Sequence, residues 1–113
     1  MAANVTYFTV SSSSTISLTS DVTTDGLFVG GKSGVFIQPI ESSGLDGSPT
    51  WTVRASVEDD NSDTVVYDDL YGKNLGVNES YNSTAFIKVN YFFIDVEVNN
   101  NTSGSIKFAM IHD

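Results

Sequence analysis

Residues 26–33, Gly26-Leu27-Phe28-Val29-Gly30-Gly31-Lys32-Ser33, satisfy the G-x-x-x-x-G-K-[ST] pattern with which a phosphate-binding loop cradles a nucleotide. That chemistry needs a nest of backbone amides opening the N-terminus of a helix. Here Leu-Phe-Val fills the wildcard positions, and Val35-Phe36-Ile37-Gln38-Pro39 comes next, a β-branched and aromatic segment ending in proline. Such a segment does not build the required helix, so a hairpin turn is expected and nucleotide binding is not. Tyr91-Phe92-Phe93-Ile94-Asp95 resembles the apolar run plus Asp that holds magnesium beside such loops, and it falls with the first match.

Asp59-x-Asn61-x-Asp63 has the opening spacing of a calcium loop, with oxygen ligands at alternate positions suited to a hard cation. Thr64 stands where the sharp-turn glycine belongs and Leu70 where the closing Glu belongs, so the stretch reads first as a solvated acidic turn. Asp59, Asn61 and Asp63 are therefore weak calcium candidates, and no cofactor or resident metal is expected. Nucleophilic catalysis lacks parts: His112 is the one histidine, and it sits beside the chain end where fraying is expected. No enzymatic activity is expected. Trp51 heads an alternating strand and is assigned to the core, whereas Tyr71 and Tyr81, in a stretch read as loop, are candidate glycan-contacting residues. Asn4, Asn78, Asn82, Asn100 and Asn101 begin N-x-[ST] triplets, read as surface polarity because no signal peptide is evident.

The chain has 113 residues, enough for one ordinary domain, and no cysteine, which excludes disulfides and thiolate-ligated metals. Fourteen acidic residues against five basic ones give a net charge of −9, which disfavours nucleic acid and anionic membrane surfaces as partners. The charged fraction is only 17%, and sixteen Ser, eleven Thr and nine Asn take its place. These residues compete with helical hydrogen bonding and favour strands and turns.

The elements that must position these side chains can be read from periodicity. Asn4 to Val10 reads as a strand, and Ser11-Ser12-Ser13-Ser14 as a polar connector. Residues 1–14 are thus expected to form an arm that pairs on a neighbouring subunit through Val5, Tyr7, Phe8 and Val10, ahead of one domain at 15–113. Further strands are expected at about 15–19, 27–29, 35–40, 50–57, 64–67, 85–89 and 91–98, with a last strand through Ile106, Phe108 and Met110 and with 68–83 irregular. Pro39 is expected at a sheet edge or strand end. Turning at 101–103, the last two strands are expected to pair as a hairpin, with Val98 opposite Ile106, Val96 opposite Phe108, Ile94 opposite Met110 and Glu97 opposite Lys107. The fold class is all-β: a β-sandwich or jelly roll of eight or nine short, mostly antiparallel strands.

Ser48-Pro49-Thr50-Trp51-Thr52-Val53-Arg54-Ala55-Ser56-Val57 before an acidic turn, and Val96-Glu97-Val98-Asn99-Asn100-Asn101-Thr102-Ser103-Gly104-Ser105-Ile106-Lys107-Phe108 at the end, resemble small β-sandwich modules of tailed-phage virion proteins. The resemblance covers roughly residues 48–111, with Asp60-Asn61-Ser62 replacing a glycine-containing turn often seen there. It implies a non-enzymatic structural role, most directly a capsid decoration (cement) protein on the outer surface of the shell. Implied with it are partners among the major capsid protein or other virion proteins, a homotrimer, and residence in the virion after synthesis in the host cytoplasm. The alternatives are a carbohydrate-binding β-sandwich module and a tail- or fibre-associated virion protein.

Overall fold

The computed structural model describes residues 4–56, 58–59, 71–74, 81–83 and 89–112, the third and fourth of these segments as backbone only. Ten strands occur among the described residues: β1 (Asn4–Tyr7), β2 (Ile16–Ser17), β3 (Val22–Thr23), β4 (Leu27–Phe28), β5 (Val35–Ser43), β6 (Thr50–Ser56), β7 (Tyr71–Asn74), β8 (Tyr81–Ser83), β9 (Tyr91–Glu97) and β10 (Ser105–His112). Every described pairing is antiparallel.

The short N-terminal strands combine. β1 and β2 lie along the same side of β10, with Tyr7 opposite Ala109 and Ile16 opposite Ile106. Residues 4–17 are therefore one edge strand interrupted by an excursion at 9–15. β3 and β4 likewise share one side of β9, and between them the Thr24 hydroxyl accepts the Ile94 N–H at 2.9 Å in place of a carbonyl. Counted this way, the described residues form eight strands. One sheet, A, runs β1/β2-β10-β5-β8 and the other, C, runs β3/β4-β9-β6-β7. This order, with the chain passing repeatedly between the sheets, is the jelly-roll topology.

Alternation dictates the interior. β6 buries Trp51, Val53 and Ala55, β9 buries Phe92, Ile94 and Val96, and β10 buries Ile106, Phe108 and Met110. Phe8, Ile16, Leu18, Val29 and Ile37 close the same core. Trp51 from sheet C meets Phe108 from sheet A with ring centroids 5.3 Å apart, which fixes the two sheets face to face.

Three expectations are corrected, and the edge placement of Pro39 holds locally, where β5 has β10 alone as a described neighbour. β9 and β10 do not form a hairpin: they lie in different sheets, so Ile94 and Val96 face Phe108 and Met110 across the core rather than along a ladder. Lys107 is 3.3 Å from Glu41, not paired with Glu97. A hairpin and a sheet-to-sheet crossover produce the same alternation, so the pattern alone does not separate them. Pro39 lies inside β5 opposite Phe108, beyond the three-residue pairing of β5 with β8, so its missing N–H breaks no described ladder bond. Residues 71–74 and 81–83, expected in an irregular stretch, are strands, because β6 and β5 offer them partners that their Gly- and Asn-rich composition does not advertise. Finally, the expected N-terminal arm is an edge strand of its own sandwich. The expected strands at 64–67 and 85–89 lie mostly outside the described residues.

The crossover between β9 and β10 is held by Asn101, which is buried. Its Oδ1 accepts the N–H groups of Asp46 and Gly47 at 2.9 Å each, and its Nδ2 donates to Leu18 O at 2.8 Å and Ser103 O at 2.7 Å. One amide thus ties together the β2–β3, β5–β6 and β9–β10 connections. Gly47 is required there, since a Cβ would sit 2.5 Å from the Asn101 nitrogen. Gly104 is required as well: its φ is +99° and a Cβ would meet Ser43 O at 2.5 Å. Asn101→Ala removes a partner from four backbone groups in three connections and is expected to cost about 3 kcal/mol in urea denaturation; a loss below about 1 kcal/mol would mean that other contacts hold the crossover.

Asp46 adds a charged clasp, accepting from the Thr102 hydroxyl, from Thr102 N at 2.7 Å and from Ser103 N at 3.3 Å. The Thr102 hydroxyl, then the Thr102 amide, hold the Asp46 carboxyl below its ordinary range. A depressed folded-state value means that its stabilisation is fully present above the unfolded value of about 3.9 and is lost as pH falls through the folded one. The melting-temperature gap between wild type and Asp46→Asn is therefore expected to be constant above about pH 5 and to close below about pH 4.

Candidate interaction surface

In a solvated sandwich the outward positions of each strand are expected to be polar. Sheet C obeys this rule in its middle. Thr50, Thr52 and Arg54 of β6 point outward beside Asp95 and Glu97 of β9, with Thr23 of β3 at the flank. Arg54 forms a two-pronged contact with Asp95, through Nε to one oxygen and through Nη2 to the other at 3.1 Å, while Thr23 Oγ1 donates to Asp95 at 2.6 Å. The Arg54 guanidinium also lies 5.7 Å from the centre of the Phe93 ring, which is buried on this outer side. Near one end Phe28 is 56% exposed and meets Tyr91 edge-on at 5.6 Å.

Sheet A breaks the rule. With Ile106, Phe108 and Met110 inward, β10 turns Lys107, Ala109 and Ile111 outward, and β5 turns Phe36, Gln38 and Ile40 outward. β1 adds Val5 and Tyr7. The register lines these up in rows across three strands: Val5–Ile111–Phe36, then Tyr7–Ala109–Gln38, then Lys107–Ile40. Val5 is 52% and Tyr7 38% exposed, while Phe36, Ile40 and Ile111 are half-buried. A contiguous apolar face of this kind marks an interaction surface far more often than a scattered exposed side chain does.

Charge separates the two faces further. Among the described side chains of the sheet A strands, the carboxylate beside this surface is Glu41, and Lys107 Nζ holds it at 3.3 Å. The same ammonium lies 5.6 Å from the Tyr7 ring centre. Glu41 sits at a bulge where β5 gains a residue against β10, with φ at +52°. In a chain of net charge −9, this is the apolar and charge-poor side among the described residues.

The expected site residues are scattered between the faces and the core. Val5 and Tyr7 belong to the sheet A surface. Phe8 does not: it is fully buried, its N–H bonded to Phe108 O at 3.0 Å, and is corrected from a partner-contacting to an interior position, whereas Val10 is half-buried, packed against the edge of the core. Asp59 is exposed on a turn beside Gly26; Asn61 and Asp63 lie outside the described residues, and no metal-ligating cluster occurs among the described ones. Tyr71 and Tyr81 open β7 and β8, opposite Val53 and Ile37, on different sheets. The nucleotide-loop pattern forms strand β4 and a turn with Gly31 at φ +82°, and the next element is the strand β5 rather than a helix. His112 is not frayed: it is paired in β10 and its Nε2 is 2.8 Å from Thr6 Oγ1. Asn101, read as surface polarity, is the buried amide of the crossover.

Phe36, Ile40, Ala109 and Ile111 are surface members that the candidate residues did not include. Their signal is present in the sequence: Val35–Ile40 and Phe108–Ile111 are nearly continuous apolar runs, the mark of strands covered on both faces. If this face is solvent-exposed in the isolated chain, Phe36→Thr and Ile111→Thr each cost about 1 kcal/mol or less and reduce binding of an apolar fluorescent dye. Phe108→Ala, on the opposite side of the same sheet, is expected to cost about 4 kcal/mol. No family model, curated protein or solved structure matches this chain, so its faces carry the functional argument.

Proposed function

We propose that the chain is a non-enzymatic structural protein that attaches to the outside of a larger protein shell, as a capsid decoration protein of a tailed-phage virion. The observation that supports this best is the two-sidedness of the sandwich. Sheet A offers Val5, Tyr7, Phe36, Ile40 and Ile111 on an outer face where one lysine neutralises the adjacent carboxylate. Sheet C presents Thr, Asp and Glu. A protein that coats a particle needs an attaching side that gains by leaving water and an outer side that stays solvated and resists aggregation. The assignment to a virion rests on the resemblance of residues 48–111, within which the β6 segment weighs more than the closing stretch, since the latter forms a crossover rather than a hairpin. The jelly roll itself serves capsid and lectin domains alike, so it supports a structural or binding role without choosing between them.

The test is co-sedimentation with shells of the major capsid protein encoded in the same genome. Wild type is expected to bind, and the double variant Phe36→Thr/Ile111→Thr to bind at least tenfold more weakly while still unfolding cooperatively, its melting temperature lowered by no more than about 10 °C. Absence of binding by the wild type overturns the proposal. Binding that survives the double variant but is lost with Phe28→Ala moves the contact to the aromatic end of sheet C and overturns the assignment of the face.

A further inference from the structure

The orientation of the β1 backbone is set by one hydrogen bond. Phe8 N–H donates to Phe108 O, so in this antiparallel pair Thr6 and Phe8 aim their N–H and C=O groups at β10, and Val5 and Tyr7 aim theirs away. No described strand lies on that far side. Four backbone groups therefore face outward from the same two residues whose side chains are among the most exposed apolar ones described.

Edges of this kind are normally blunted by lysine, proline, a bulge or an inward charge. Asn4-Val5-Thr6-Tyr7 has none of these. In a chain with fourteen carboxylates, an uncharged edge is also a place where two copies meet without direct repulsion.

We infer that β1 is the seat of a second copy of this chain, whose own β1 adds antiparallel about a two-fold axis at Thr6. In that register Val5 lies opposite the second copy's Tyr7, and Tyr7 opposite its Val5. Each of these residues then donates its N–H to the C=O of the other, giving four backbone hydrogen bonds. The side chains complete the match: two aromatic–β-branched pairs on the outer face and a Thr–Thr pair on the inner one, both favoured cross-strand combinations. The contact is isologous, so it closes at two chains. It also joins two sheet A surfaces into one, with Val5 and Tyr7 at the seam, yet it does not depend on the proposed function.

Sedimentation velocity on the full chain, up to about 1 mM so that weak contacts register, is paired with residue-resolved amide exchange. The expected mass approaches twice the 12.2 kDa of one chain. The Val5 and Tyr7 amides are expected to slow as concentration rises, while that of Thr6 is slow throughout. Val5→Pro removes an outward N–H to which no described strand bonds, so it is expected to weaken self-association at least tenfold at unchanged melting temperature. Should that variant fail to fold, Tyr7→Lys makes the same test by placing a charge at the seam. A monomer at every concentration overturns the inference, as does a trimer, which two-fold strand pairing cannot build. A dimer in which the Val5 and Tyr7 amides exchange freely overturns it too, because it would join through another surface.

Discussion

The fold turns on where the chain crosses between its sheets, and the Asn101 side chain decides that. A primary amide has two donor hydrogens and one carbonyl, and here both ends are engaged with backbone from three separate connections. A buried amide left half-satisfied would be a liability of the order of the hydrogen bonds it lacks. Satisfied, it specifies one path. Residues 98–104 must pass over the end of the sandwich, β9 must end in sheet C, and β10 must begin in sheet A. The placement of β10 in turn determines which residues of β5 and β1 lie beside it and so what each outer face presents.

Local pattern made the interior legible. Trp51, Val53 and Ala55, or Phe92, Ile94 and Val96, alternate so cleanly that their burial can be read from the strand period. The same period is silent about which strand lies beside which. Ile94 and Met110 face one another as readily across a core as along a hairpin, and the choice was made by Asn101, Gly47 and Gly104, whose triplet and turn context looked like ordinary surface polarity. At the N-terminus, four serines suggested a loose tether. What they build is a tight reversal in which Ser11 and Ser12 both have positive φ, closed by Val10 and Ser13. The tertiary partner that makes it worthwhile is Asp25, which receives the Thr9 hydroxyl and the Ser12 amide. Nothing within residues 9–14 announces a carboxylate from the other sheet.

The attaching side was legible only in part. Val5 and Tyr7 could be singled out because they head an apolar segment, but their neighbours on the surface come from strands far away in sequence. Ile111 joins Phe36 and Val5 only once β10 is known to lie between β5 and β1. A surface is a property of strand order, and strand order was the part of the fold that periodicity left open. The acidic side shows the converse. Arg54 and Asp95 stand forty-one positions apart in the chain, yet they organise the middle of sheet C around a two-pronged ion pair that also takes the Thr23 hydroxyl.

The excursion at residues 9–15 has a consequence for how far this protein can assemble. Cross-β growth requires an uninterrupted segment of about six or seven residues that can template its own kind. By folding away toward Asp25 after Phe8, the chain cuts its edge into pieces of four and two residues. A rim broken in this way can take up one short strand reversibly, but it offers no continuous ladder along which further chains could stack into a fibre.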